Sequence, residues 1–569
     1  MRWPCKKSMA PWHHYCYSKR RMRRRVLCLL VLIHLGSGAS QLLTATNFFV
    51  SPTGRPTGDG SLSNAWDLAT AFLDNTNPTN KNYAVKPGDA VWVRGGIYGT
   101  GSGAAWNCTI SGTSNQPVII RQYPGERAVI NGEIFAKGDY EIFWGFEMMN
   151  SAATNRICDE QVLTPGLSLA GVGARAINLV IHDVGAPGIW LPQLTLTNSE
   201  YREIYGCVMW GCGDYATNSD NPGGPGHYRG PILYMKNTNG IVSVADNIAF
   251  KSWTEGLKAY GQNNSADGFQ FQGNITFLNF ADGIVADASH YAINTLTVSS
   301  NYYCNNGQSR LGITFPLLDP SAGTNDQSLQ FNSNYFLDEV IQTYDCMLWN
   351  RSWSYYTMTN NIFVVVASTN ATLTTPYASF RDSYVFWNIE QTNMIQYVVD
   401  YNQYYGGSEF IGNFANISRI GWNTMTATYG WEAHGAFHTN TLPTANVIVL
   451  RTNKYERGRA HLIVYNWQSN STINVDISNI GLAQGQSFEV RDVQNYLGTP
   501  ALSATYDAAH PNITVPLTLT NVTPLMGIQT HFRRDPNVHT SSLFNTFVIL
   551  PVVPVPDPPS YFRVWHPSQ

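Results

Sequence analysis

Through the middle of the chain, apolar residues come in short words separated by polar breaks, and the words recur. "DNIAF" from Asp246, "GNITF" from Gly273, "SNYYC" from Ser300, "SNYFL" from Ser333 and "NNIFV" from Asn360 share one form. Each sets a small or polar residue and an asparagine ahead of an apolar or aromatic run. Asn247, Asn274, Asn301, Asn334 and Asn361 are spaced 27, 27, 33 and 27 residues apart, which marks a structural repeat. A leucine-rich repeat has a comparable period, but its L-x-x-L-x-L-x-x-N ladder does not surround these asparagines. Each repeat instead holds short alternating or apolar stretches bounded by Gly, Asn, Ser and Asp, the marks of strands and turns. Three strands and three turns per repeat predict one coil of a parallel β-helix, paired to the next coil at about 4.8 Å.

The asparagines are expected at a sharp corner, in a positive-φ conformation that Asn tolerates, bonding each other's amides from coil to coil. A second register fixes the phase. "EGLKAYG" from Glu255 and "DGIVADA" from Asp282 are also 27 apart. Alternation puts Leu257 on Ile284 and Ala259 on Ala286 inward, with Lys258 on Val285 and Tyr260 on Asp287 outward. One coil earlier "RGPILYMKN" is read with Ile232 and Tyr234 inward, and "APGIWL" from Ala186 fits before it. Beyond about Ala445 the texture becomes "NVIVLRTNKYERGRAHLIVYNWQ" and "QSFEVRDVQNYLG". Alternating strands at turn-bounded intervals predict a small antiparallel sandwich. The organisation expected is all-β: a right-handed parallel β-helix over 47–440, a β-sandwich over 445–550 and a Pro-rich tail over 551–569.

The opening "FFVSPTGRPTGDGSLSNAWDLATAFL" with "VKPGDAVWVRGGIYG" and "VIIRQYPGERAVING" resembles the start of secreted right-handed parallel β-helix proteins with the pectin-lyase fold. The middle stretch "HYRGPILYMKN", "VADNIAFKSWTEGLKAYG" and "FQFQGNITF" resembles a branch of the same superfold, so the likeness spans roughly 47–440. It implies that Trp66, Leu68, Ala71 and the "PGD" turn build a short capping helix and first coil. It also implies a groove on one outward strand face, and a C-terminal module like the accessory β-domains of secreted carbohydrate enzymes. The superfold hosts lyases, hydrolases, isomerases and binding proteins, so fold alone leaves the activity open. "GPGHYRG" faintly resembles the Gly-His turn of polygalacturonases, but that family's aspartates are missing, as is the Arg-Pro signature of pectate lyases. No catalytic set carries over.

Composition narrows the partners. Charged residues are 13% of 569, and Gly numbers 48, a mix poor in helix formers. Nine basic residues crowd the first 25; the remaining 26 face 38 acidic ones, a balance of −12. Such a chain is a poor general binder of nucleic acid or anionic lipid. The basic block leads into "VLCLLVLIHLGSGAS", which reads as a signal peptide over 1–39, with an uncleaved anchor as the alternative. A secreted monomer is expected. Without the leader, six cysteines remain (Cys108, Cys158, Cys207, Cys212, Cys304, Cys346), permitting up to three disulfides. Nine N-x-S/T sequons include Asn274.

The aromatic load, 16 Trp and 31 Tyr, suits stacking on sugar rings. The expected function is polysaccharide cleavage, with a polyuronate lyase ahead of a glycoside hydrolase, and a non-catalytic glycan-binding β-helix as the other class. A lyase needs a cation to neutralise the uronate carboxylate and a base for the acidified C–H. Lys258, His227, Arg229 and Tyr260 are the expected set, with Lys258 the base and its pKa lowered by Arg229 or a bound cation. Glu255 and Asp282 occupy equivalent places in adjacent coils, as a hydrolase pair or a calcium site, though turn chemistry before Gly256 and Gly283 accounts for them nearly as well. His182, His290, His434 and His438 read as packed or exposed rather than ligating.

Overall fold

The computed structural model describes residues 45–552 apart from 74–83, 102, 159–163, 195–199, 217–226, 262–264, 288–291, 308–316, 320–325, 341–347, 351–352, 368–386, 390–394, 407–409, 411, 415–416 and 528–534. The leader, His290, Cys346 and the Pro-rich tail lie outside the described residues. Three twelve-stranded sheets run the length of the helical part, taking successive strands from successive coils, and one of them ends in an antiparallel pair, Gly412–Phe414 with Ile417–Ile420. Successive coils pair in parallel: Leu257 meets Ile284, Ile275 meets Tyr302, and Phe269 meets Leu296. The chain is a parallel β-helix. A one-turn helix, Leu68–Ala71, starts it, with the Asp67 carboxylate accepting from Thr70 N at 2.7 Å. Trp66, Leu68 and Ala71 are buried there. The "PGD" turn is tied down because Asp89 accepts from Thr46 N and Lys86 N, both at 2.7 Å.

The asparagine column exists and is longer than its five words. Asn247, Asn274, Asn301, Asn334, Asn361 and Asn402 stack inside the corner, each 0–1% exposed. In every step one amide donates both to the next asparagine's Oδ1 and to a backbone carbonyl; Asn274 Nδ2 reaches Asn301 Oδ1 at 3.0 Å and Val244 O at 2.7 Å. Glu432 ends the column, accepting from Asn402 Nδ2 at 2.7 Å and Tyr404 OH at 2.8 Å. The backbone expectation was off by one. Positive φ falls on the residue before each asparagine: Asp246, Gly273, Ser300, Ser333, Asn360 and Tyr401. The bend precedes the asparagine so that its side chain turns inward. A second column, unseen in the sequence, runs Ser252, Asn279, Asn306 at the same period, with Asn279 Nδ2 to Asn306 Oδ1 at 2.8 Å.

Inside, rings stack along the axis: Tyr303 on Phe336 at 4.3 Å, Phe336 on Phe363 at 4.8 Å, and Phe363 on Tyr404 at 5.1 Å. Cys108, Cys207, Cys212 and Cys304 are free thiols buried in the core. The allowance of three disulfides is therefore overturned; these four are spent as small apolar fillers.

From Val447 onward the strands are antiparallel, in a five-stranded sheet (Val447–Thr452, Ala460–Tyr465, Phe544–Pro551, Ser487–Asp492, Leu502–Thr505) and a two-stranded one. All six residues of Ala460–Tyr465 are buried. Alternate positions explain this: Leu462 and Val464 face the two-stranded sheet, while Ile463 and Tyr465 pack on the β-helix beside Ile248, Ile275 and Tyr335. No helix among the described residues is long and apolar enough to cross a membrane.

Candidate functional site

One outward column on the second long sheet collects the site. Register places Ser168, Trp190, Tyr234, Lys258 and Val285 on successive coils. This corrects the reading of "RGPILYMKN". Leu233 and Met235 point inward, and Tyr234 points out beside Lys258. Ile232 is inward as expected, buried in the core from the preceding bend, and the strand that begins after it takes the opposite alternation. Over this column lies a cleft of about 560 Å³ floored by Pro165, Pro187 and Pro231 and lined by Trp190, Tyr234, Arg229, Lys236, Glu255 and Lys258. Pro187, Pro231, Glu255 and Asp282 are successive rungs at the sheet edge: Ile232 N donates to Glu255 O at 3.2 Å and Gly256 N to Asp282 O at 2.8 Å.

The charges are paired unequally. Lys258 Nζ donates to Glu255 Oε1 at 2.6 Å, both side chains being largely buried. Burial works to lower the Lys258 pKa, but the charge and bond of Glu255 outweigh it and hold it above the ordinary value. The lowered pKa expected for Lys258 is thus reversed. Burial would likewise raise Glu255, and Lys258 overrides it to keep that carboxyl below its usual range. Arg229 is turned to Asp214. Its Nε and Nη2 grip Asp214 at 3.0 and 2.8 Å, because strand His227–Arg229 returns antiparallel to Asp214–Ala216. His227 pairs there through its backbone with Ala216; its side chain lies outside what is described. Lys258 Nζ stands 5.2 Å from the Tyr260 ring, and Tyr260 lies 6.0 Å from Tyr234. Lys236 Nζ sits 5.5 Å from the Tyr234 ring.

Asp282 is 7% exposed, with Oδ1 unpartnered. Burial first, and the Glu255 charge second, push its carboxyl well above the usual range. A calcium ion asks for six to eight oxygens. Here one carboxylate is held by an ammonium and the other favours its neutral form. Among the described residues no group of three or more His, Cys, Asp or Glu is placed to hold a metal. Trp190, Tyr234 and Lys236 were missed as site residues; counting the strand register back from Lys258 would have found the first two. Of the histidines, His182 is packed between Glu147 and Asp183, while His434 is exposed and bonded to Asp400. His438 bonds Gln403 at 2.9 Å.

No family model matches this chain, and no curated protein does. Solved structures do. A complex of XylC with xylose is 9% identical over 88% of this chain and 100% of that one, with a TM-score of 0.38. Pectate lyase Pel9A is 13% identical over 66% and 78%, with a TM-score of 0.31. A rhamnogalacturonan lyase is 13% identical over 53% and 84%, with a TM-score of 0.29.

Proposed function

We propose that the protein cleaves an acidic polysaccharide by β-elimination in the cleft above Trp190, Tyr234 and Lys258. The observation that carries this is the lining: Arg229 and Lys258 each come with a carboxylate partner, Asp214 and Glu255, and Lys236 adds a further positive charge beside the rings of Trp190 and Tyr234. Cations suit a uronate chain, and exposed ring edges suit its sugar faces. A hydrolase needs two carboxyls flanking the scissile bond; Glu255 lines the cleft and Asp282 does not. An extracellular polysaccharide also agrees with the leader read over 1–39.

In this reading Lys236 neutralises the uronate carboxylate, and Arg229, held by Asp214, lines the cleft beside it. The Lys258 amine takes the adjacent carbon-bound proton, the C–H electrons form the new double bond, and the C–O bond to the leaving sugar breaks. Tyr260, whose ring stands 5.2 Å from Lys258 Nζ, returns a proton to the departing oxygen in this reading. At rest Glu255 keeps Lys258 protonated, so turnover should climb with pH well into the alkaline range. Removing that charge with Glu255→Gln should lower the Lys258 pKa and move the rising limb to lower pH. The hydrolase reading rests on Glu255 and Asp282 having their pKa values pushed apart, and it predicts that the same substitution nearly abolishes activity. The test is ultraviolet absorbance of unsaturated product on polyuronates, as a pH profile for wild type, Glu255→Gln and Lys258→Ala. Lys258→Ala should lose about 10²-fold or more. Wild-type turnover in that variant rules out the proposal.

A further inference from the structure

On the outward face of the second long sheet one short word is written three times. "FAK" from Phe135, "YMK" from Tyr234 and "KAY" from Lys258 each set a ring and an ammonium two residues apart, on the same side of a strand. The fold brings the members of each word together. Lys137 Nζ stands 4.7 Å from the Phe135 ring, Lys236 Nζ 5.5 Å from that of Tyr234 and Lys258 Nζ 5.2 Å from that of Tyr260. Tyr234, Lys236 and Lys258 line the cleft described above; Phe135 and Lys137 lie outside it.

Register carries the outer pair to the cleft. Phe135 meets Ser168 on the next coil, and Ser168 meets Trp190 on the one after. Ser168 is small and buried, held by its bond to Glu133 Oε1 at 3.1 Å. The rings on either side therefore meet over it, Phe135 and Trp190 standing edge to face at 6.4 Å. Trp190 leads to Tyr234 and Tyr234 to Lys258, so Phe135 lies four coils from Lys258. At about 4.8 Å a coil that is about 19 Å, the length of several sugar residues. Lys137 is exposed and makes no ion pair among the described residues. Asp139, the nearest acid along the chain, is occupied in accepting from Val172 N at 2.9 Å. Past Lys258 the face changes sign: the next strands, Ile284–Asp287 and Leu317–Asp319, contain aspartates and no basic residue. The cations thus extend from the cleft toward the first coils.

We infer that Phe135 and Lys137 form a remote subsite for one uronate residue of an acidic chain whose other residues run along the face into the cleft. The ring takes a sugar face and the ammonium takes its carboxylate. The inference rests on the reading of the cleft as a polyuronate site, though not on the bond broken there. It makes the protein a reader of chain length, because an oligouronate too short to span both ends forfeits the outer contact.

Calorimetric titration of the full chain tests it, with protein from a bacterial host so that the exposed Asn107 sequon beside Phe135 stays bare. The probes are di- and hexagalacturonate and di- and hexamannuronate. At about pH 5.5 sugar carboxylates are ionised and Lys258 keeps its proton, so binding is read without turnover. The better-bound hexamer should bind about tenfold or more tighter than its dimer. Lys137→Ala should cost that hexamer about tenfold and Phe135→Ala about fivefold, with dimer affinity unchanged. Arg457→Ala, at an exposed cation of the antiparallel domain, should change neither. Hexamers no tighter than dimers overturn the inference, as does a Lys137→Ala chain that binds hexamer like wild type or loses dimer and hexamer alike. So does an equal loss in Arg457→Ala, which marks diffuse charge, or binding of none of the probes. Unsaturated product is followed separately at alkaline pH. Chain-length dependence without product ends the elimination reading and leaves the subsite standing; product without chain-length dependence does the reverse.

Discussion

His182 shows what a single residue contributes here. Its Nδ1 lies 2.8 Å from Asp183 Oδ2 and its Nε2 3.1 Å from Glu147 Oε1, with the ring stacked on Trp210 at 4.6 Å. Arg127 and Arg156 reach the same two carboxylates. Burial opposes charge on the imidazole, but the bonds and charges of Asp183 and Glu147 outweigh it, and the pKa is raised. The unfolded value is about 6.5. Stability from this contact is therefore complete below that pH and is lost as pH rises through the higher folded value. Each unit of elevation is worth about 1.4 kcal/mol. Thermal unfolding of wild type and His182→Gln across that range should show the wild-type advantage shrinking as pH rises. An advantage that stays constant or grows would contradict the charged histidine.

At the scale of elements, a coil has no stability alone; it borrows from its neighbours. The asparagine column shows how. Asn274 accepts from Asn247 N and Nδ2 at 3.1 and 3.0 Å, and donates to Val244 O and Asn301 Oδ1. Asn274→Leu strands Asn247 N and Val244 O in the coil before and takes one of two donors from Asn301 Oδ1 in the coil after, at a cost of about 3 kcal/mol. Gln270→Leu, on the exposed face of the preceding strand, should cost little. Equal melting temperatures would count against the ladder. Asn274 is also a sequon, but its amide is fully buried and engaged, so mass spectrometry of the folded protein should find no glycan there.

For the whole molecule, the sandwich is a structural part of the helix and not a pendant module. Residues from Ala45 onward form one compact unit. Tyr465 stacks on Tyr335 at 4.0 Å and donates to Tyr303 O at 3.2 Å. Arg451 pairs with Asp246 and Lys454 with Glu203 across the same contact. Calorimetry should therefore show helix and sandwich unfolding in one transition. A chain ended after residue 440 would bare the face carrying Ile248, Ile275 and Phe277, and should bind hydrophobic dye and aggregate. A truncated helix that stays monomeric with an unchanged melting temperature would sink this account.

The repeat, the coil and the inward and outward faces of Leu257–Tyr260 were legible in the sequence, because coil-to-coil stacking repeats one local pattern at one spacing. The change to antiparallel strands after Ala445 was legible for a similar reason: strand alternation is local. What the spacing could not carry was anything decided by a bend. The off-by-one of positive φ and the reversal of Tyr234 both arise where a strand ends and the chain turns. Nor could it carry charge. Lys258 and Glu255 are three residues apart in sequence, but only the packed groove, where burial and their contact compete, decides that the lysine holds its proton. Arg229 was diverted to Asp214 by an antiparallel return that no repeat announces. Local periodicity fixes which residues stack; the protonation and partners of the charged ones belong to the contacts between distant segments.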